Sequence, residues 1–320
     1  MSADSLAGQM RAAAARLLVA LDDGQRQLAA RPFTDEAARR WLEYRPRHRP
    51  GACLAELSGT ARKAAHRLLA TGLSEHAYAQ AMGIVALEEV LDRKEGWRRG
   101  RHSGDYWVSV FGEPEGGASE GGRPWSWRFE GHHLSVTMTV AGEDVSPAPV
   151  FLGANPACVS YAGRPVSRPL GPEEDLVRGL LDVMGAQRAA AVVANQAPSD
   201  IRTATNPRAR ENIEPLGVPR SVLGPGARAL LDQLIALYLD RLPAGLAARE
   251  AARLAGHELH FAWEGPLEPG ARHYYRVQGD DLLIEYDTTG DGNHAHTVLR
   301  RPRSDFGDDV LAAHYTQAHP

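Results

Sequence analysis

Leu282-Leu283-Ile284-Glu285-Tyr286-Asp287, a Gly/Asp turn, and then Asn293-His294-Ala295-His296-Thr297-Val298 read as two consecutive strands near the C-terminus. Side chains alternate along a strand, so His294 and His296 share a face, with Cα atoms roughly 6.6 Å apart. That spacing lets both imidazoles reach one metal ion. Immediately upstream, Leu259 to Trp263 and His273 to Val277 complete a block of four antiparallel strands.

An earlier block has the same aromatic and β-branched character. It contains Tyr106 to Phe111, then Trp125 to Glu130 and His133 to Val140 as one long strand or two joined near Gly131, then Val150 to Leu152. Helical periodicity covers residues 5–100, with helices near 54–71 and 74–93, and resumes over 173–195 and 225–253 with a break near Pro243. A short helix from Asp308 to Tyr315 ends the chain, and residues 196–224 form a long irregular connection.

The order helices (1–100), strands (105–152), helices (173–253), strands (258–300), C-terminal helix (305–316) predicts an α+β fold in one domain over 1–320. Both strand blocks would pair in one antiparallel sheet flanked by helices. Strands do not alternate regularly with helices, and Gly-x-Gly-x-x-Gly and Walker-type Gly-Lys-Ser/Thr are absent, which disfavours a Rossmann-type sheet. No internal repeat is evident.

The chain has 320 residues, 43% hydrophobic and 24% charged, as in soluble globular proteins. A net charge of −4 gives no global reason to expect nucleic acid. The local runs Arg98-Arg99-Gly100-Arg101-His102 and Arg300-Arg301-Pro302-Arg303 read as solvated faces. The apolar stretch Ala12 to Leu21 is interrupted by Arg16, and no run approaches a membrane span, so no membrane partner and a cytoplasmic location are expected. Cys53 and Cys158 read as buried free thiols. The Gly/Glu/Ser stretch from Gly112 to Gly122 reads as a mobile loop. Nothing in the chain specifies an oligomeric state.

A second histidine cluster, Glu130-Gly131-His132-His133, lies in the first strand block. Strand alternation places Arg128, Glu130 and His132 on one face. Pairing of the two blocks would bring this cluster to His294 and His296. The candidate metal ligands are therefore His132, His294, His296 and Glu130, with His133 and His314 in reserve. They would hold one divalent transition metal, which the donors do not resolve among copper, iron and zinc. Glu285, Asp287 and Asp305 would orient the imidazoles. Glu130 would double as general base, and Arg128 and Arg276 would clamp an anionic substrate group. His48, His66, His76, His102, His273 and His319 read as ordinary polar residues. His257-Glu258-Leu259-His260 misses zincin spacing by one residue.

Several segments together resemble the family called domain of unknown function 3500, from about Leu21 to Tyr315. They include Gly83-Ile84-Val85-Ala86-Leu87-Glu88-Glu89-Val90-Leu91, Trp125-Ser126-Trp127-Arg128-Phe129-Glu130-Gly131-His132-His133-Leu134-Ser135 and Phe151-Leu152-Gly153-Ala154-Asn155-Pro156-Ala157. His273-Tyr274-Tyr275-Arg276, Leu283 to Asp287, Asn293 to Val298 and Asp305 to Tyr315 complete the pattern. Asp287-Thr288-Thr289 departs from it where an Asp-Asn-Thr turn is usual. The resemblance implies no activity.

The residues themselves predict a metal-dependent enzyme acting on a small molecule or peptide. An oxygen-using oxidoreductase is favoured, because an all-His and carboxylate shell suits iron or copper. A zinc or manganese hydrolase is the alternative. A non-catalytic binding protein with a structural His/carboxylate network is the rival of another class.

Overall fold

The computed structural model describes residues 5–98, 102–115 and 123–318. The middle of the first arginine run, His319 and most of the expected mobile loop lie outside them. Eight strands form the centre: β1 Tyr106–Phe111, β2 Trp125–Gly131, β3 Leu134–Ala141, β4 Val150–Ala154, β5 His260–Glu264, β6 Tyr274–Gly279, β7 Leu282–Thr288 and β8 Ala295–Arg300. Their spatial order is β1-β2-β3-β4-β8-β7-β6-β5, and every neighbouring pair is antiparallel. The two strand blocks join where β4 pairs with β8, from Ala154 against Ala295 to Val150 against Leu299.

The fold is α+β, but the sheet is mixed rather than purely antiparallel. Short strands Ala30–Arg31 and Val192–Ala194 add parallel to β1 and β5 at its two edges. Residues 192–194 are thus strand where helical periodicity extends to 195; helix runs over Gly171–Val183 and again for one turn over Arg188–Ala191. β2 and β3 are two strands of a hairpin turning at His132-His133, not one long strand.

The two edges reveal a repeat that the sequence conceals. In each half a short strand adds parallel to the first long strand (Ala30 with Val110, Val192 with Trp263). A second adds antiparallel (Ala52 with Val108, Val218 with Phe261). Gly51 and Gly217 precede those second strands at φ +119° and +88°, where a Cβ would meet the backbone oxygens of Val108 and Phe261. The next hairpins align as Trp127-Arg128-Phe129-Glu130-Gly131-His132-His133-Leu134 and Tyr275-Arg276-Val277-Gln278-Gly279-Asp280-Asp281-Leu282. Because equivalent strands β4 and β8 meet antiparallel, the halves are related by an approximate two-fold axis near Val150 and Leu299.

Helices α1 Leu6–Ala20, α2 Gly59–Gly72, α3 Glu75–Lys94, α4 Gly171–Val183, α5 Pro225–Leu239 and α6 Ala244–Leu254 cover one face of the sheet. That face supplies Trp125, Trp127, Phe129, Trp263, Tyr275 and Tyr286 to the core. The opposite face is equally buried but polar. Across the strands one row reads Glu130, Ser135, Phe151, Val298, Glu285, Arg276. Irregular segments around residues 38–50 and 200–215 cover it, their carbonyls accepting from arginine. Arg128 donates to Ala38 and Arg39, and Arg300 to Asn206 and Pro207.

Arg300 and Arg301 are accordingly buried in ion pairs with Asp305 and Asp309, not solvated. Cys53 and Cys158 are free but only half-buried. No helix among the described residues is long and apolar enough to cross a membrane.

Candidate functional site

Four histidines converge at one end of the central β4–β8 pair. The β2–β3 turn presents His132 and His133; His294 just precedes β8 and His296 is its second residue. His133 Nε2 lies 2.8 Å from His294 Nε2. Ring centroids are 3.7 Å apart for His132 and His133, 4.5 Å for His294 and His296, and 5.4 Å for His133 and His296. Ligand atoms of His133, His294 and His296 all lie within 4.8 Å of one another. His294 is half-buried and the other three are buried.

Backbone geometry fixes the central ring. His133 has φ +60°, its N–H donates to the Tyr44 carbonyl at 3.1 Å, and its carbonyl accepts from Gly153 at 2.7 Å. Gly153 faces His296 across the ladder, and a Cβ there would lie 2.8 Å from His133 Cδ2 and 3.1 Å from the Ala295 carbonyl. Glycine at 153 therefore makes the space that the imidazole fills. In Gly153→Ala, His133 is expected to be displaced, and any ion held by the three histidines should bind about tenfold more weakly by isothermal titration.

Carboxylates hold the outer nitrogens. Glu88, on α3, accepts from His132 Nδ1 at 2.6 Å and lies 3.8 Å from His133 Nδ1. His296 Nδ1 sits between Asp200 and Asp287, 3.2 Å from each. Asp287 also accepts the His296 backbone N–H at 3.2 Å. Tyr44 donates to Asp200 at 2.8 Å, and its ring stacks on Phe151 beside His296. These contacts fix ring orientation and tautomer and leave His296 Nε2 for the cluster.

Burial alone would lower the His296 pKa, but the two flanking carboxylates prevail and push it up to about 9. Burial likewise opposes ionisation of Asp200, yet the bonds from His296 and Tyr44 hold its carboxyl below the usual range. The raised His296 value stabilises the metal-free chain fully below about pH 6.5 and progressively less as pH climbs through about 9. The expected loss over that interval is about 3 kcal/mol by denaturant titration. Asp287→Asn should flatten the profile; an unchanged slope would remove His296 as its source.

Several expected site residues are elsewhere. Glu130 is fully buried against Arg128 at 2.7 Å, with Arg49 at 3.7 Å, and among the described residues joins no group of ligand atoms with the histidines. The hairpin turn separates it from His132, overturning the alternation argument, and its carboxylate faces arginine rather than the histidines. Arg128 and Arg276 are wholly buried and paired with Glu130 and Glu264, away from the histidine cluster. His314, half-buried on α7 Asp308–Ala318, joins no such group among the described residues. Of the expected orienting carboxylates only Asp287 reaches a histidine. Glu285 accepts from Thr203 and Tyr274, and Asp305 from Arg300.

Glu88, Asp200 and Tyr44 are the residues sequence reasoning missed. Glu88 had a signal: it interrupts the buried stripe Ala77, Ala81, Ile84, Leu91 at helical spacing. An acid there requires a buried partner. Asp200 and Tyr44 lie in irregular segments, where no periodicity marks an inward residue.

The pseudo-symmetric end of the sheet offers a comparison. Asp280-Asp281 stand where His132-His133 stand, and α6, equivalent to α3, supplies Arg253 at 3.4 Å from Asp280. Arg301 and Arg303 pair with Asp281 and Asp280, and Ser304 donates to Asp281 at 2.5 Å. That end is a cross-linked ion cluster. The other end gathers imidazoles.

No curated protein and no solved structure matches the chain significantly. A family profile does, over residues 3–308. The chain belongs to the family described as "protein of unknown function (DUF3500)".

Proposed function

We propose that this protein is a cytoplasmic metal-dependent enzyme acting on a small molecule, with His133, His294 and His296 holding one divalent transition metal. The observation that carries this reading is the convergence of three imidazole donors, from two strand blocks distant in sequence, within 4.8 Å. Three imidazole nitrogens backed by carboxylates, with His296 giving up its extra proton to the ion, would resemble the ligand sets of catalytic rather than closed structural centres. The bound ion would supply Lewis acidity or an electron.

Of the candidate chemistries, the oxygen-using oxidoreductase remains preferred, because an all-imidazole inner set suits iron or copper. Asp287 and Asp200 would hold the His296 tautomer, and Tyr44 would hold Asp200. The test is elemental analysis of untagged protein, followed by reconstitution with iron, copper, zinc and manganese in turn. Stoichiometric iron or copper supports the redox reading, and zinc or manganese the hydrolase. No binding of any of the four would refute a metal enzyme.

One observation favours the rival reading. At 2.8 Å, His133 and His294 are at direct hydrogen-bonding distance, as in a metal-free network. Failed reconstitution with the fold intact would select that network.

A further inference from the structure

Seven side chains participate in the overlapping ligand groups at this end of the sheet: Glu88, His132, His133, His294, His296, Asp200 and Asp287. A single ion coordinated by four to six donors cannot use them all. Asp287 and Asp200 are accounted for as supports of His296, since both approach its outer nitrogen and Asp287 also binds its backbone. Glu88 and His132 remain. They form a separate three-donor group with His133, again within 4.8 Å, and all three are buried.

His133 is common to this group and to the three-histidine group, and its two nitrogens face opposite ways. Nε2 points at His294, 2.8 Å away, and Nδ1 points towards Glu88, 3.8 Å away. We infer that Glu88, His132 and His133 form a second metal site, joined to the first through the His133 ring. The inference rests on the three-histidine reading above and deepens it from a mononuclear to a binuclear centre.

With metal–nitrogen bonds of about 2.0–2.1 Å, the two ions would stand roughly 6 Å apart across the imidazole. Binding the second ion displaces the remaining ring proton of His133 to solvent, leaving an imidazolate, and moves the His132 Nδ1 proton by way of solvent to Nε2, so that Nδ1 and Glu88 both become ligands. Glu88 is the only carboxylate in the second group, so the two sites differ in charge. The imidazolate is common to both, so the second site carries one anionic donor more than the first, favouring a harder ion there. The pseudo-equivalent turn supports a ligand role for these residues. Its two aspartates face three arginines and one imidazole, His257, whereas the His132-His133 turn joins two overlapping groups of ligand atoms.

Untagged full-length protein, stripped with chelator and titrated with Cu²⁺, tests this directly. The expected result is two equivalents bound, with the electron paramagnetic resonance signal falling between the first and second as the ions couple through the ring. His132→Ala and Glu88→Gln should each bind one equivalent and keep an uncoupled signal, with circular dichroism confirming the fold. One equivalent in the native chain, unaltered by His132→Ala, would overturn the second site and leave the first standing. Two equivalents with full signal would overturn the shared ring. No bound copper, and none on repetition with Zn²⁺, would overturn both readings.

Discussion

With His294 replaced by alanine, the protein is expected to fold normally and, on the proposed three-histidine metal site, to bind the ion about a hundredfold more weakly or worse. His294 is half-buried and precedes β8, so its loss opens little core. It is nevertheless the residue whose Nε2 meets that of His133, and without it the three-donor group is reduced to two. Isothermal titration and thermal unfolding with and without metal measure both quantities. Native protein should be stabilised by metal according to the ratio of free ion to Kd, and the variant should not be. Equal metal-dependent stabilisation in both would show that the ion binds elsewhere.

Arg276→Ala should cost about 3–5 kcal/mol of folding stability, the range for removing one partner of a buried ion pair. Arg276 is wholly buried, donates to Glu264 at 2.6 Å, and also donates to the carbonyls of Ile213 and Pro215. Removing it leaves the Glu264 carboxylate with Arg202, takes one of two donors from the buried Ile213 carbonyl, and frees the Pro215 carbonyl. The loss also reaches the site. The segment that Arg276 fastens is the one carrying Asp200 to His296, so the destabilised chain should lose part of the His296-dependent pH profile as well. Urea unfolding at pH 7 and pH 9 measures both effects. A cost under about 1 kcal/mol would mean that the polar face contributes little to holding that segment.

The polar face shows where reading residues in isolation misleads. Arg128, Glu130 and Arg276 carry charges that suggest catalysis, but each is matched by a partner chosen by the fold. An arginine in a strand has the same local pattern whether it faces substrate or a covering loop. Only the packing of residues 38–50 and 200–215 against the sheet distinguishes the two. The same holds for His132. Alternation is valid along a strand, and the chain turns at that residue.

What local physics governs was legible along the chain: helical periods, β-branched runs, the break before α6, the antiparallel hairpins, and the His-x-His face of β8. Those signals act between residues a few positions apart, so they survive in one dimension. The meeting of His133 with His294, the recruitment of Glu88 and Asp200, and the doubled architecture depend on pairings across more than a hundred residues. Such pairings leave no local period. The duplication itself is hidden because the fold conserves register, turn geometry and face polarity while letting the side chains differ, so that one turn reads His-His and its counterpart Asp-Asp. The sequence therefore announced the histidines, and only the closing of β4 on β8 made them one site.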